Sequence, residues 1–270
     1  MASSDAVFHP LLTRQGHEGR LTTVPMPAKR APGLVLGLAI LAFAAPAARA
    51  DSVPVPPRAV VELFTSQGCA QCPPADALLT SLAERGDVVA LAYHVDYWDY
   101  IGWQDTFGDP AFSDRQRAYA KSWGSSRIYT PQMVVNGAKG VVGSRRDEVR
   151  RAIDGASLAL PVDLRRDGGM LEVDIPGKPD LGDATVWLVT FLDRADVAID
   201  EGENAGKSMV YTQVVTGRQI LGLWEADTGA RFKLPLAEVM GQGHGGLAVL
   251  IQQERNSLPG LILGAATFTP

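Results

Sequence analysis

The chain has 270 residues, of which 46% are hydrophobic and 20% are charged, so it can bury one large core or two ordinary cores. Its formal net charge of −5 argues against a nucleic-acid partner held by a basic surface. Two cysteines exclude a disulfide-rich scaffold and a zinc site of four thiolates, but they allow one redox pair.

The first 50 residues have the organisation of a secretory signal peptide. Lys29 and Arg30 precede the apolar run 34–45, and Ala48-Arg49-Ala50 then supplies the A-x-A pattern of a cleavage site. The apolar run is shorter than the roughly 20 residues that span a bilayer. We therefore expect residues 1–50 to be removed, with Met26 as an alternative start of the chain. The product is expected to be periplasmic or secreted, without a stable membrane anchor.

Residues 51–158 have the pattern of an α/β domain. The apolar run 59–65 predicts a buried strand. Two prolines after Cys69-Ala70-Gln71-Cys72 predict a helix that starts within this motif and ends near Arg85, because proline fits the first helical turn. A second buried strand is predicted at 88–95.

The rest of this region predicts an aromatic insertion, a hairpin and a closing helix. Five aromatic residues lie in 96–110, and a helical spacing of apolar residues follows in 112–123. Asn136-Gly137 between two apolar runs predicts an antiparallel hairpin. Ser144, with acidic residues three and four positions later, predicts the N-cap of another helix.

Residues 159–270 have a different pattern, with short β-rich runs separated by turn-forming residues. Such spacing without helices predicts a second, all-β, sandwich-like domain. The predicted strands are 160–166, 170–175, 184–193, 208–216, 219–225, 230–234, 246–253 and 261–268.

The cysteine motif carries the chemistry that the sequence predicts. A thiolate at Cys69, at the start of a helix, is stabilised by the helix dipole and by backbone N–H groups. Cys72 follows within one turn and is close enough to form a disulfide with it. The expected roles are an attacking Cys69 and a resolving, more buried Cys72.

The order of these elements resembles the thioredoxin superfamily over about residues 58–157. The segment that begins at Thr130-Pro131 is similar to the glutaredoxin-type cis-proline segment. The resemblance implies a cis-proline loop facing the cysteines, where the backbone of Thr130 pairs with an extended peptide. The expected fold class is thus an α/β thioredoxin-like domain followed by an all-β sandwich-like domain.

A closer resemblance spans nearly the whole chain after residue 50. Four segments, given at the end of this paragraph, are similar to the secreted family called domain of unknown function 1223. This resemblance implies a fold and a compartment, but no substrate. The segments are Phe64-Thr65-Ser66-Gln67-Gly68-Cys69 with Cys72-Pro73-Pro74-Ala75-Asp76, Tyr93-His94-Val95-Asp96-Tyr97-Trp98-Asp99, Tyr129-Thr130-Pro131-Gln132, and Glu203-Asn204-x-Gly206.

Several polar and aromatic residues near the motif allow two interpretations. Asp76, one turn after Cys72, either influences its proton transfer or only caps and solvates the helix. His94 is either a buried, paired histidine or a metal ligand near the cysteines. The aromatic residues Trp98, Tyr100 and Trp103 form either a groove for a partner or a local core.

The leading functional hypothesis is a thiol–disulfide oxidoreductase that acts on protein thiols and disulfides. Its site residues are Cys69, Cys72, Thr130 and Pro131, with no cofactor and no metal. One alternative is a metallochaperone or sensor that holds a soft ion such as Cu(I) between both thiolates and a histidine. A third hypothesis is a binding module in which the disulfide is only structural.

Overall fold

The computed structural model describes residues 56–241, 243 and 245–270. The predicted signal peptide, residues 1–50, lies outside the described residues. The described part begins with the strands and helices of the predicted α/β region. These are β1 (Ala59–Thr65), α1 (Pro73–Ala83), β2 (Val88–His94), a short 3-10 helix (Asp99–Ile101), α2 (Pro110–Ser122), β3 (Gln132–Val135), β4 (Lys139–Val142) and α3 (Arg146–Asp154).

The elements after α3 are strands, apart from one short helix. These are β5 (Asp163–Asp167), β6 (Met170–Ile175), β7 (Ala184–Ile199), β8 (Lys207–Trp224), β9 (Ala230–Pro235), α4 (Leu236–Met240), β10 (Gly246–Arg255) and β11 (Leu258–Phe268). Among the described residues, no helix is both long and apolar enough to cross a membrane.

Strands β1 and β2 are parallel and lie in the middle of the protein. Their register runs from Ala59 opposite Val88 to Thr65 opposite His94. All seven residues of each strand are buried, as the continuous apolar runs predicted. Alternate side chains of β1 therefore enter two different cores, with Phe64 in one and Leu63 in the other.

The predicted hairpin is confirmed. Strands β3 and β4 pair antiparallel, and β3 also pairs with β1. Asn136 and Gly137 join them with positive φ angles of 48° and 68°, as this dipeptide favours. The closing helix α3 is also present, but its N-cap is Arg145 rather than Ser144, without a side-chain capping hydrogen bond.

The predicted fold class, a thioredoxin-like domain followed by a β-sandwich-like domain, is wrong. Strands from both halves of the chain join one mixed, eight-stranded sheet in the order β11-β10-β7-β8-β2-β1-β3-β4. The junction is the parallel pairing of Ala92 in β2 with Val214 in β8. Strands β5, β6 and β9 form a separate, three-stranded sheet.

The physical reason is that apolar periodicity locates strands but does not choose their neighbours. The second edge of β2 is paired with β8 at Ala92, because backbone N–H and C=O groups at a buried strand edge need partners. Two of the predicted strands, 208–216 and 219–225, are one continuous strand in the structure, the 18-residue β8, which ends at Trp224. The proposed boundary near residue 158, as a point of independent folding, stays a prediction.

Three hydrophobic clusters fill the spaces around the large sheet. The first lies beside α2 and contains Phe64, Tyr93, Phe112 and Tyr119. The second lies beneath α1 and α3. The third includes residues from both sheets, among them the fully buried Trp224. The cysteine motif follows shortly after the carboxyl end of β1.

Candidate functional site

The two cysteines form a disulfide immediately before α1. Cys69 Sγ is bonded to Cys72 Sγ, and their Cα atoms are 5.4 Å apart. Cys72 is the N-cap residue and Pro73 the first residue of α1, so the helix begins directly after the motif. Cys69 exposes 2% and Cys72 0% of its surface, whereas Ala70 and Gln71 between them are exposed. An approaching molecule therefore meets Ala70 and Gln71 first.

The backbone amides around the helix start are mostly engaged within the protein. Cys72 N donates to Cys69 O at 3.1 Å, and Ala75 N donates to Cys72 O at 2.8 Å. Pro73 and Pro74 have no N–H group to offer. Stabilisation of a thiolate at Cys69 by this helix would therefore come chiefly from the helix dipole.

The Thr130–Pro131 peptide bond is cis. Pro131 is buried and lies near the first turn of α1. Pro131 and Ala75 of α1 both lie beside Gly143. A Cβ added to Gly143 would be 3.3 Å from Pro131 Cβ and 3.1 Å from Ala75 Cβ. The structure thus brings the proline segment and the start of α1 to the same end of the sheet.

Trp98 connects the proline segment to the cysteine motif. Its Nε1–H donates to Thr130 Oγ1 at 2.7 Å. Its Cβ lies 3.3 Å from the position of a Cβ on Gly68, the residue before Cys69. A side chain at position 68 would therefore press on Trp98, which explains why a glycine suits this position.

Gln67 fixes the aromatic insertion to the motif from the other side. Gln67 N donates to Asp105 Oδ2 at 2.7 Å, and its Nε2 donates to Thr106 Oγ1 at 2.8 Å. Trp103 Nε1–H donates to Gln67 Oε1 at 2.8 Å. Both indoles are half-buried with internal partners, whereas Tyr100 is 82% exposed. The tryptophans therefore serve as a local core, and Tyr100 is the aromatic group open to a partner.

The turn between β7 and β8 covers the cysteine motif, which the sequence did not predict. The buried Asn204 donates from Nδ2 to Gln67 O at 2.8 Å and to Cys69 O at 3.1 Å. Glu203 Oε2 accepts from Ala70 N at 3.4 Å. Both residues belong to the Glu203-Asn204-x-Gly206 segment that carries the family resemblance, and this was the signal that could have located them.

Asp76 is buried and does not solvate the helix, contrary to one of its two interpretations. It exposes 6% of its surface, and its Oδ1 accepts from Thr65 Oγ1 at 2.8 Å. Burial raises the pKa of Asp76 to about 7, against the lowering effects of the His94 charge and the Thr65 hydrogen bond. Its Oδ2 is buried without a hydrogen-bond partner among the described residues.

His94 is a buried, paired histidine, as one of its two interpretations predicted. Its Nδ1 lies 2.8 Å from Asp105 Oδ2, and because a carboxylate only accepts, Nδ1 carries the proton. The rings of Phe107 and Tyr211 contact the imidazole edge-on. Although burial opposes ionisation, the His94 charge and three hydrogen-bond donors keep the pKa of Asp105 below its ordinary value.

In the described part of the chain, no three His, Cys, Asp or Glu side chains are grouped so that they could hold a metal ion. The Cu(I) hypothesis required His94 together with both sulfurs, but His94 is engaged with Asp105. An apolar cavity of about 860 Å³ lies at the other end of β2, between residues 158–164 and 265–267. It does not include the cysteine motif.

The geometry is that of a mixed-sheet protein with a C-x-x-C disulfide at a helix start, covered by a distant hairpin. The model of the family "Protein of unknown function (DUF1223)" matches residues 60–252. The chain belongs to this family. The predicted resemblance to domain of unknown function 1223 is confirmed. No curated protein matches the chain.

Two solved structures are similar to this chain. The crystal structure of protein AGR_C_4864 from Agrobacterium tumefaciens is 36% identical in sequence, with a TM-score of 0.72. The match covers 80% of this chain and 95% of that one. HBP35 of Porphyromonas gingivalis is 14% identical, with a TM-score of 0.51 and coverage of 79% and 75%. The second similarity concerns the fold alone.

Proposed function

We propose that the protein is an extracytoplasmic thiol–disulfide exchange protein that acts on the thiols and disulfides of other proteins. The observation that carries the proposal is the Cys69–Cys72 disulfide at the start of α1, at the same end of the sheet as the cis Thr130–Pro131 bond. Exposed Ala70 and Gln71 mark the face that a partner would approach.

The exchange proceeds in two steps. In the reduced protein, the Cys69 thiolate attacks one sulfur of a partner disulfide, and the partner's second sulfur leaves with the bonding electron pair and takes a proton. Cys72, as a thiolate, then attacks Cys69 Sγ and expels the partner's first sulfur as a thiolate. The partner gains two electrons, and the Cys69–Cys72 bond is formed. The reverse sequence oxidises a partner dithiol, and relative reduction potentials decide the direction.

Thr130 is proposed to align the partner chain. The backbone carbonyl and amide of Thr130 would pair with an extended peptide, as in strand addition. The indole of Trp98 holds the Thr130 hydroxyl and thereby fixes the orientation of this segment. Tyr100, the exposed aromatic residue of the insertion, adds apolar contact area for the partner.

The proposal places the protein outside the cytoplasm because residues 1–50 have the pattern of a signal peptide. Protein disulfides persist in the periplasm and outside the cell, where exchange partners are available. We expect amino-terminal sequencing of the exported protein to begin at Asp51. Exported protein that retains residues 26–50 would contradict the proposed processing.

Trapping of mixed disulfides tests the exchange itself. The Cys72→Ser variant keeps the attacking thiol but cannot release the partner, so mixed disulfides should accumulate in an extracytoplasmic extract. The Cys69→Ser variant should trap none and is the matched control. In the reduced wild type, one thiol should react with iodoacetamide with a pKa below the ~8.5 of an ordinary cysteine.

A binding module with a structural disulfide is the second candidate, and the burial of both sulfurs favours it. It predicts that Cys72→Ser traps nothing and that both thiols of the reduced protein react only above pH 8.5. Either result would overturn the exchange proposal.

A further inference from the structure

We infer that a pocket between α2 and strands β7 and β8 is a binding site for a small organic carboxylate, whose charged group is held by Arg115 and Arg218. The pocket has a volume of about 310 Å³, at the lower end of the range for small-molecule sites. Its lining does not include the cysteine motif. The inference is therefore independent of the proposed thiol–disulfide exchange.

Arg218 of β8 presents a guanidinium that forms no ion pair with a carboxylate in the described part of the chain. The side chain is half-buried, and its Cζ lies 3.1 Å from the centre of the Trp187 ring. Among the described residues, neither its Nε nor Nε1 of Trp187 has a hydrogen-bond partner, although both atoms are buried. Because a buried donor without an acceptor is destabilising, two such donors in contact indicate a missing acceptor.

Arg115 brings a second guanidinium to the same pocket from α2. Its residue is 7% exposed, its Nε donates to Glu62 Oε1 at 2.8 Å, and its Nη2 donates to Tyr119 Oη and to Gln252 Oε1. Within the described residues, Nη1 is left without a partner. Since internal hydrogen bonds already fix this guanidinium, a ligand that binds Nη1 orders no further side chain.

The charge at the base of the pocket suits one monoanion. Burial, together with the positive charge of Arg115, lowers the pKa of Arg218 to about 10, so Arg218 remains charged at neutral pH. Glu62 neutralises Arg115, which leaves one net positive charge. A carboxylate carries one negative charge and matches the planar fork of an arginine. A phosphate group, with a charge of about −1.5 to −2 at pH 7, exceeds it.

Two acidic residues at the pocket reinforce this choice. Asp114 and Glu254 also line it, and both are exposed. Asp114 is paired with Arg117. Negative charges at the exposed side of the pocket repel a dianion more strongly than a monoanion, so they disfavour phosphate in particular.

The rest of the lining fits the uncharged body of the ligand. Ala118, Ile220 and Pro259 supply apolar surface around the arginines, and Ile220 is 60% exposed. An apolar ligand body would cover this side chain and remove it from water. The combination of one cationic group and an apolar wall therefore points to a carboxylate with a small aromatic or aliphatic body.

Titration of the oxidised wild-type protein with benzoate tests the site. We expect saturable binding by calorimetry with a Kd of roughly 1 mM or lower, together with a shift of the Trp187 indole N–H resonance. Benzyl alcohol has the same ring without the charge and should bind at least about tenfold more weakly, because it forms no charge-assisted hydrogen bonds. Inorganic phosphate should also bind at least about tenfold more weakly than benzoate.

Replacement of Arg218 tests the assignment of the charged group. Arg218→Met should weaken benzoate binding by at least about tenfold. The matched control is Arg194→Met, which removes the same charge from an exposed position of β7, where Arg194 pairs with Asp196. It should leave the Kd within about twofold of the wild-type value. Ala118→Leu keeps both arginines but narrows the pocket, and it should also weaken binding.

Three results would overturn the inference. The first is a wild type without saturable benzoate binding. The second is equal binding of benzoate and benzyl alcohol, which would remove the role of the arginines. The third is phosphate binding as tight as that of benzoate, which would show a site for inorganic anions instead of an organic carboxylate. All three are measured on the wild type, so the test stands even if a variant fails to fold.

Discussion

Asn204 donates a hydrogen bond to the carbonyl oxygen of Cys69 at 3.1 Å, although 135 residues separate them in the chain. The same amide group binds Gln67 O, so one buried side chain satisfies two carbonyl groups of the cysteine loop. The motif is therefore completed by the β7–β8 turn. The conformation of the Cys69–Cys72 loop therefore depends on Asn204, a residue that is distant in the sequence.

Replacing Asn204 by Ala should weaken the attachment of the β7–β8 turn to the cysteine loop. Two buried carbonyl groups lose their donor, and the expected loss is roughly 1–3 kcal/mol in the free energy of unfolding. Dithiothreitol should reduce the disulfide of this variant faster than that of the wild type. Lys207→Met is the control, because it removes only the hydrogen bond from Lys207 Nζ to Asn204 Oδ1. An unchanged reduction rate in Asn204→Ala would show that the turn does not protect the sulfurs.

Stability should depend on pH through Asp76. Its pKa is about 7 in the folded protein against 3.8 ordinarily, so the folded state binds the proton more tightly than the unfolded state. This contribution is present at low pH and is lost as the pH rises to 7. Relative to Asp76→Asn, the oxidised wild type should lose about 3 kcal/mol between pH 5 and 8, measured by urea unfolding.

The control for this measurement is Asp87→Asn. Hydrogen bonding by Arg85 lowers the pKa of Asp87, so this carboxylate is ionised in both states above pH 5. Its replacement should leave the slope of stability against pH unchanged over the same range. A wild type and an Asp76→Asn variant with parallel curves would refute the pKa assigned to Asp76.

The local elements of this fold were predictable, whereas the joining of the sheet was not. The strand at 59–65 and the Asn136-Gly137 hairpin depend on neighbouring residues, and the structure confirms both. The helix predicted to start within the cysteine motif is present, but it begins at Pro73, directly after the motif. The pairing of Ala92 with Val214 depends on which distant strand reaches the edge of β2. Side-chain periodicity contains no information about this choice.

The candidate site was likewise predictable in its local motif but not in its long-range contacts. Cys69 and Cys72 could be recognised from their spacing, and the cis bond before Pro131 was implied by the family resemblance. The role of Gln67 as a link between the motif and the aromatic insertion depends on hydrogen bonds with three residues of the 103–106 segment. Such contacts follow from tertiary structure, so no pattern of residue types predicts them.

A buried ion pair should anchor α2 to the large sheet. Arg115 donates to the fully buried Glu62 of β1 and also to Tyr119 Oη at 2.9 Å. Arg115→Met leaves the Glu62 charge unpaired, and we expect a loss of about 3–5 kcal/mol in thermal or urea unfolding. Arg117→Met, which breaks an exposed pair with Asp114, should cost less than about 1 kcal/mol. Equal losses in the two variants would contradict the anchoring role.

The turn of the predicted hairpin should tolerate no side chain at Gly137. Its φ is +68°, and a Cβ there would collide with the carbonyl oxygen of Gly260. Gly137→Ala should therefore cost about 1–2 kcal/mol for the left-handed backbone and a further 1–3 kcal/mol for the overlap. Gly168→Ala is the control, since Gly168 has a φ of +58° and open space around it. Equal melting temperatures for the two variants would exclude the overlap.

The position of Asn204 along the chain also sets an order of events during synthesis. A polypeptide emerges amino-terminus first, so both cysteines leave the ribosome well before the β7–β8 turn that covers them. The second edge of strand β2 likewise can be paired only after β8 has been synthesised. During this interval the thiols are open to any oxidant or exchange partner they meet. The two cysteine sulfurs are therefore accessible in the nascent chain and buried in the folded protein.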